Sequence, residues 1–319
     1  MIGSPQKKVA GIEALAEEGR FLEKPSSLWK TAWKRLLRRK TGVTGMIIIG
    51  LLLLLALFAP LLATHDPTHS LIGEEEGAVR RAPPCIHALG CPEDQPQHIL
   101  GLDGNVRDFF SRIVYGSRLS LTIGLTTVSA AILIGALLGA IAGFWSGWAD
   151  NTIMRVMDVL LGFPALLLAI AIVSVLGPGL SNALIAIAIV SIPAYARVMR
   201  ASVLQVKQLD YVAASRALGA SKARILIGRV LPNAITPLVV LATLGIASAI
   251  LEAAGLSFLG LGAQPPTPEW GQMLGEERNQ VFSSPFLVFF PGLMIMLTVL
   301  GFNLLGDGLR DALDPRLND

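Results

Sequence analysis

Two acidic residues stand at the ends of long apolar segments, where an ionisable side chain could carry a proton or an ion. Asp158 follows Arg155 by three residues, a helical spacing that favours a local ion pair. Glu252 follows the charge-free segment 230–251, and we expect structural pairing or capping there rather than contact with a substrate. Ion-coupled carriers need ionisable groups near mid-membrane. The chain therefore has no evident ion-coupling site of its own.

Histidine and cysteine occur only within segment 64–118, and three interpretations of them are open. They are His65, His69, His87, His98, Cys85 and Cys91. A Cys85–Cys91 disulfide suits an oxidising external compartment and would stabilise a small loop by roughly 2 kcal/mol in the chain-entropy model. A metal site is disfavoured because the spacing fits no standard ligand pattern. Unpaired side chains are the third alternative, and the sequence favours the disulfide with no metal ligand.

Motifs of nucleotide-driven and hydrolytic chemistry are absent. The sequence contains no G-x-x-x-x-G-K-[ST] phosphate loop, no H-E-x-x-H metalloprotease motif and no G-x-S-x-G nucleophile elbow. We therefore expect no catalytic residue and no cofactor in this chain. A subunit driven by a partner is favoured, and a lone gradient-driven carrier or channel is the alternative.

The composition is that of a polytopic membrane protein with all-α architecture. Apolar residues make up 53% of the 319 residues and charged residues only 15%, whereas an average soluble domain has about 25%. Five windows without charge are long enough for spans of about 20 residues. They cover 41–64, 119–149, 159–196, 230–251 and 279–306. The longest holds two helices because Gly177-Pro178-Gly179 interrupts it. The six predicted transmembrane helices lie at about 42–63, 119–144, 152–175, 182–203, 231–254 and 285–306.

Basic residues indicate the orientation of the spans. Segments 30–40 and 197–229 are strongly basic, whereas acids outnumber arginines in 64–118 and 257–284. The first two are therefore predicted to be cytoplasmic and the last two external, with both termini in the cytoplasm. The net charge of +3 reflects this bias and does not predict binding to nucleic acid.

The predicted organisation has five parts along the chain. They are a cytoplasmic N-terminal tail (1–41), an uncleaved first span (42–63), an external loop (64–118), a core of five spans (119–306) and a cytoplasmic C-terminal tail (307–319). The core includes the cytoplasmic segment 207–229 and the external loop 257–284.

The N-terminal tail contains an amphipathic pattern over 28–37. Its apolar face consists of Leu28, Trp29, Ala32, Trp33, Leu36 and Leu37, opposite a mostly basic face. Ser26 or Ser27 can cap the start of this helix. We interpret it as a helix lying on the inner leaflet with tryptophan at the headgroup level. A soluble cytoplasmic helix is the alternative.

The longest cytoplasmic segment between spans, 207–233, has the pattern of two short helices. Asp210 can cap the first helix, and Gly219 can end it with a positive φ angle. Ser221 can start the second helix, which leads to Pro232. A short helix held between two spans would give a soluble partner a rigid handle on both.

This segment resembles the EAA loop of ABC-transporter permease subunits, whose pattern is E-A-A, three residues, G, nine residues and I-x-L-P. Ala213-Ala214-Ser215 stands at the triplet, Gly219 at the glycine and Val230-Leu231-Pro232 at the end. The resemblance implies a coupling helix that docks on an ATPase subunit. Its residues here are Asp210, Tyr211, Ala213, Ala214, Ser215, Arg216, Leu218, Gly219, Ala220 and Pro232. The glutamate of the triplet is Ala213 here, so the acidic contact is missing, and Asp210 one turn earlier is the less favoured substitute.

Other stretches narrow the resemblance. HILGLDGNVRD, from His98 to Asp108, is similar to H-x-L-G-T-D-x-x-G-R-D of the dipeptide/oligopeptide permease group, with Leu102 for the threonine and Val106 for the glycine. Residues 154–170, 256–274 and 302–316 are also similar to that group. From about residue 28 onward, the chain resembles the second, C-type permease of a peptide/nickel-type ABC importer.

The resemblance implies the type I ABC importer permease fold in the cytoplasmic (inner) membrane of a prokaryote. Such a permease pairs with a second homologous permease as a heterodimer. Two ATPase subunits bind ATP and Mg, and an external binding protein delivers the peptide substrate for alternating access. Other cargoes, namely nickel or another metal chelate, a glycopeptide or an antimicrobial peptide, are the alternatives for the same fold.

The external loop 262–284 is implied by the resemblance to face the binding protein. The contact residues would be Glu269, Trp270, Glu276 and Glu277. Trp270 can also lie at the membrane interface. A solvated acidic run is the open alternative for the glutamates.

Overall fold

The computed structural model describes residues 28–313, and helices dominate this part of the chain. In chain order they are α1 (Leu28–Leu36), α2 (Lys40–Leu57), α3 (Ala59–Leu62), α4 (Phe109–Trp145), α5 (Trp148–Leu161), α6 (Ala165–Leu176), α7 (Leu180–Val206), α8 (Asp210–Ala217), α9 (Lys222–Ile225), α10 (Leu231–Ala234), α11 (Thr236–Phe258), α12 (Trp270–Glu277) and α13 (Phe286–Leu313). Two 3₁₀ turns (His87–Leu89 and Arg278–Gln280) and a π turn (Leu226–Val230) accompany them. The all-α prediction is confirmed.

Five helices are long and apolar enough to cross a membrane, and a bent pair of helices gives a sixth candidate span if the pair is counted as one. The five are α2, α4, α7, α11 and α13, and the pair is α5 with α6, bent by 92°. Six spans are therefore confirmed when the pair counts as one, but a single helix over 152–175 is wrong. Pro164 lacks an N–H and its ring would clash with the carbonyl of Leu160, while Phe163 before it avoids helical backbone.

Two spans extend beyond the hydropathy windows. Helix α4 begins at Phe109 instead of near 119, because the Asp108 side chain caps it by accepting from the backbone N–H of Ser111 at 2.8 Å. Helix α13 continues to Leu313, through the start of the predicted C-terminal tail. The predicted loop 64–118 thus ends in two to three turns of helix.

Glycines allow α4 to approach α7 closely, and this is the most extensive helix pair among the described residues. A Cβ at Gly143 would lie 2.9 Å from the carbonyl oxygen of Arg200, and one at Gly139 would overlap that of Ala196. Small residues are the usual means by which helices pack in lipid. The pair α4–α7 therefore forms the centre of the bundle, with α11 against both.

Helix α1 packs on α13, and its apolar face divides into two parts. Ala32 and Leu36 are buried against protein, whereas Trp33 is 56% exposed and free to meet a membrane surface. The predicted caps Ser26 and Ser27 lie outside the described residues.

Candidate functional site

The segment between α7 and α11 folds as two short helices joined by a turn, which we call the coupling segment (207–235). Helix α8 ends at Ala217, and Gly219 follows with φ +79°. The Ser221 hydroxyl accepts from the N–H of Arg224 at 3.4 Å and caps α9. A cap by Asp210 is wrong: the N-cap position is Leu209, which makes no side-chain cap bond, and Asp210 is the first helical residue.

One face of the coupling segment is free. The exposed members of the predicted site are Asp210, Tyr211, Ala213, Ala214, Arg216, Leu218, Gly219 and Pro232, and the half-buried members are Ser215 and Ala220. Leu218, at the tip, is 88% exposed. Exposed large apolar side chains beside a turn are typical of a docking surface for a partner.

The opposite face of the coupling segment is fixed to the bundle. Val212, Ile225 and Val230 are buried in one cluster with Met199 and Val203 of α7. Burying such side chains contributes about 1.5–3 kcal/mol each. A force applied to α8 is therefore transmitted to α7 rather than absorbed by a loose loop.

A basic cavity of about 970 Å³ lies between the C-terminal end of α4 and the coupling segment. Lys207, Arg216 and Lys222 line it together with Trp145. The Lys207 ammonium also donates to the Ser146 hydroxyl at 2.8 Å. The cavity thus presents positive charge next to α8, where it would favour an acidic partner surface.

Two ion pairs join α5 to α7 at the basic end of the bundle. Arg200 donates to Asp150 in a bidentate pair with one distance of 2.7 Å, and Arg197 donates to Asp158 at 2.6 Å. The predicted local pair between Arg155 and Asp158 is wrong, because Asp158 faces α7. Neither true pair has a local signal in the sequence, since its members are far apart along the chain.

Glu252 lies half-buried in α11. Its Oε2 atom is buried and has no hydrogen-bond partner among residues 28–313. The expected structural pairing therefore does not form for this oxygen.

The acidic residues of the loop 262–284, which is predicted to be external, bind to other parts of this chain. Arg107 donates to Asp103 at 2.7 Å and to Glu276 at 2.8 Å. Glu277 accepts from Arg81 at 2.9 Å and is 5% exposed. Glu277 as a contact for a binding protein is therefore wrong, and Glu276, 21% exposed as a side chain, is already paired.

The start of α12 is buried in the bundle. The Trp270 indole is fully buried and donates to the carbonyl of Ile113 at 3.1 Å. The predictions that Trp270 lies at the membrane interface or contacts a binding protein are therefore wrong. Glu269 is 2% exposed and accepts from the N–H groups of Gly271 and Gln272. Burial raises the pKa of the Glu269 carboxyl despite these hydrogen bonds. Glu269 is a helix cap here and not a contact residue.

Segment 64–108 contains the disulfide and a buried histidine. Cys85 is bonded to Cys91, and Cys85 pairs with His98 in an isolated antiparallel bridge. Burial opposes protonation of His98, but the hydrogen bond and charge of Asp108, with Glu75, raise its pKa. For Asp108 burial opposes ionisation, and hydrogen bonds from His98, Ser111 and Thr64 lower its pKa below the ordinary value.

Two family models match the chain. Residues 135–319 match the binding-protein-dependent transport system inner membrane component. Residues 27–84 match the N-terminal transmembrane domain of oligopeptide transport permease C.

Curated relatives match over almost the whole length. The dipeptide transport system permease protein DppC of Alkalihalophilus pseudofirmus is 47% identical over 91% of this chain and 91% of its own. The di/tripeptide transport system permease protein DppC of Pseudomonas aeruginosa is 48% identical over 92% and 94%. The glutathione transport system permease protein GsiD of Pectobacterium atrosepticum is 44% identical over 91% of each chain.

A solved structure has the same fold. It is the methionine ABC transporter MetNI in inward-facing conformations, with a TM-score of 0.52, 20% identity, and coverage of 63% of this chain and 96% of that one.

Proposed function

The chain belongs to the binding-protein-dependent transport system inner membrane components, and we propose that it carries short peptides, such as di- and tripeptides, inward across the cytoplasmic membrane of a prokaryote. It is a multi-pass permease of an ABC importer and not an enzyme, since the ATPase of this family is a separate subunit. One observation carries the peptide cargo: the chain is 47–48% identical, over more than nine-tenths of its length, to permeases named for dipeptides and di/tripeptides.

The transporter complex contains ATPase and other subunits besides this chain. In our proposal it has one second, homologous permease, two ATPase subunits that bind ATP and Mg, and an external binding protein. The coupling segment faces the cytoplasm, as does the C-terminal tail. The basic character of 197–229 supports this orientation.

Coupling in this proposal starts at the exposed tip of α8. Leu218 and Arg216 contact the ATPase in this proposal, and the acidic contact that the triplet lacks at Ala213 is not required. Val212 is buried against α7, which supports transmission of the ATPase movement to the spans as a rigid body. The peptide then needs only to favour one of the two states of the path.

Two exposed leucines give a matched test of the coupling surface. Leu218→Asp places a charge on a leucine that is 88% exposed, and Leu89→Asp does the same on one that is 82% exposed in the predicted external loop. Neither change disturbs a packed core. We expect Leu218→Asp to lower co-purification of the ATPase at least tenfold and Leu89→Asp to leave it unchanged. Equal retention of the ATPase by both variants would remove the coupling role from α8.

The cargo is tested in proteoliposomes that contain the complete transporter and its binding protein. Uptake of a labelled dipeptide should require ATP on the side of the membrane that carries the ATPase subunits. Unlabelled di- or tripeptide should compete with the labelled dipeptide for uptake. A nickel chelate should not compete. Peptide uptake by this chain alone without nucleotide would instead support a lone carrier.

A further inference from the structure

Three metal-ligating side chains from distant parts of segment 64–108 converge next to the start of α4. The Nδ1 atom of His98 lies 2.9 Å from Oδ1 of Asp108, and Nδ1 of His65 lies 3.8 Å from the same oxygen. One ligand atom from each residue lies within 4.8 Å of the others. The two imidazole rings are 5.2 Å apart between centroids. We call these three residues the His–His–Asp cluster.

Hydrogen bonding accounts for only part of this arrangement. The 2.9 Å contact between His98 and Asp108 is an ordinary hydrogen bond, but 3.8 Å is too long for one between His65 and Asp108. His65 does have a hydrogen bond at Nδ1, to the hydroxyl of its neighbour Thr64 at 3.0 Å. That local contact does not require the ring to approach His98. The backbone N–H of His65 donates to the Ser111 hydroxyl at 3.1 Å, which holds this residue near Asp108 but does not fix the direction of its ring. A second imidazole therefore faces the same carboxylate oxygen at a distance that no hydrogen bond to that oxygen accounts for.

The groups behind the cluster have the arrangement that supports metal ligands. Oδ2 of Asp108 accepts from the N–H and hydroxyl of Ser111 and from the Thr64 hydroxyl at 3.1 Å, so Oδ1 is left to face the imidazoles. Nε2 of His98 lies 3.2 Å from Oε2 of Glu75. Metal-binding histidines almost always donate their second ring nitrogen to such a group, which orients the ring.

We propose that His65, His98 and Asp108 bind one divalent transition-metal ion, with zinc as the representative of the class. Imidazole and carboxylate ligands suit zinc, and ligands at about 2.0–2.1 Å from a tetrahedral ion lie about 3.3 Å from one another. The observed distances of the two histidine nitrogens from Oδ1 of Asp108, 2.9 and 3.8 Å, bracket that value, and the ligand atoms of the two histidines lie within 4.8 Å of each other. His65 also lines an open cavity of about 580 Å³, from which water can take the fourth position. The ion would tie the end of α3, the disulfide-containing segment and the start of α4 together.

Zinc binding to the purified full-length chain in detergent tests this site. After chelator treatment, removal of the chelator, addition of zinc and removal of the unbound excess, we expect about one zinc per chain by elemental analysis. Calorimetric titration of the metal-free chain with zinc measures the affinity. His65→Ala should weaken binding at least tenfold, and Glu75→Gln should weaken it by about 10- to 100-fold, because the carboxylate that faces Nε2 of His98 is lost. His65 is partly exposed and Glu75 is half-buried, so both variants can be compared with wild type at similar folding yield.

His69→Ala is the matched control, because His69 is half-exposed, pairs with Glu74 and lies outside the cluster. It should bind zinc as the wild type does. In addition, zinc should raise the Tm of the wild type and of His69→Ala, and not that of His65→Ala. The proposal is overturned if the wild type binds no stoichiometric zinc, or if His65→Ala binds it as tightly as His69→Ala does.

Discussion

Val106 is a buried β-branched residue in left-handed backbone, with φ +58° and 1% exposure. The peptide-permease pattern has glycine at this position. The carbonyl of Val106 accepts from Leu71 and its N–H donates to Asp103, which holds the conformation in place. Left-handed backbone costs an L-residue roughly 1–2 kcal/mol, and the strain is offset here by the burial of the valine side chain with Leu71 and Leu102.

We predict that Val106→Gly unfolds at a higher Tm than Val106→Ala. Both lose the buried side chain, but only glycine relieves the left-handed strain, so glycine should be favoured by about 1 kcal/mol. Val114, equally buried but in the regular helix α4, is the control, and there alanine should be favoured over glycine by a similar amount. If alanine were more stable than glycine at position 106 as well as at position 114, Val106 would be unstrained. Thermal unfolding of the solubilised chain measures all four variants.

Glu269 makes the stability of the fold depend on pH, and the burial of its carboxyl sets the direction of that dependence. Its carboxyl pKa in the folded chain lies above the ordinary 4.5, so the folded state holds a proton that the unfolded state releases. Stability from this group is therefore full below pH 4.5 and falls as pH rises through the folded pKa. We predict that the Tm of the wild type, relative to Glu269→Gln, decreases with pH above 4.5. If the Tm of the wild type and that of Glu269→Gln changed in parallel with pH, this prediction would be contradicted. Glu76→Gln, at an exposed position, is the control, and its Tm should follow that of the wild type.

At the scale of elements, the contact between α4 and α7 depends on the absence of side chains on α4. A Cβ at Gly139 would overlap the carbonyl of Ala196 and lie 2.9 Å from Cβ of Met199. Because the obstacle is mainly backbone, the two helices would have to separate. Gly50, in α2, has no atom within 4 Å of such a Cβ and supplies the matched control.

We predict opposite effects of the same substitution at these two glycines. Gly139→Ala should destabilise the chain by about 1–3 kcal/mol through overpacking. Gly50→Ala should be neutral or stabilising by up to about 1 kcal/mol through helix propensity. Tm and elution as a single species in detergent measure both. A loss at Gly50 as large as that at Gly139 would contradict the close packing of α4 on α7.

Local signals in the sequence predicted the elements more reliably than their contacts. The charge-free windows gave the spans, since a bilayer requires long apolar helices whatever their neighbours. Gly219 and Ser221 were predicted as helix boundaries because capping depends on the residue itself. The bend at Pro164 also has a local signal, but the surrounding apolar residues concealed it in a hydropathy window.

Contacts between distant segments were not predicted. Asp158 has Arg155 three residues away, and only the packing of α5 on α7 gives it Arg197 instead. The glutamates of α12 read as a solvated acidic run, because Arg81 and Arg107 are remote in sequence. The same reason hides the His–His–Asp cluster, whose ligands have no regular spacing.

At the scale of the whole molecule, the proposed function gives the coupling segment two separable tasks, docking and transmission. Leu218, directly after the end of α8, is 88% exposed, whereas Val212 within α8 is fully buried in a cluster with residues of the bundle. A surface change should therefore affect association, and a core change should affect only how movement reaches the spans. The two residues lie in and just beyond one short helix, so the comparison is local.

We predict that Val212→Ala keeps the ATPase bound but lowers the number of peptides transported per ATP hydrolysed. Removing a buried methyl pair loosens α8 from α7 by roughly 2 kcal/mol, so part of each ATPase movement is lost as local rearrangement. Leu218→Asp should instead lose the ATPase itself. Uptake and phosphate release measured on the same proteoliposomes give the ratio, and co-purification gives the binding. If Val212→Ala lowered hydrolysis and uptake in proportion, with the ATPase still bound, the segment would act as a docking site without being the element that transmits the movement.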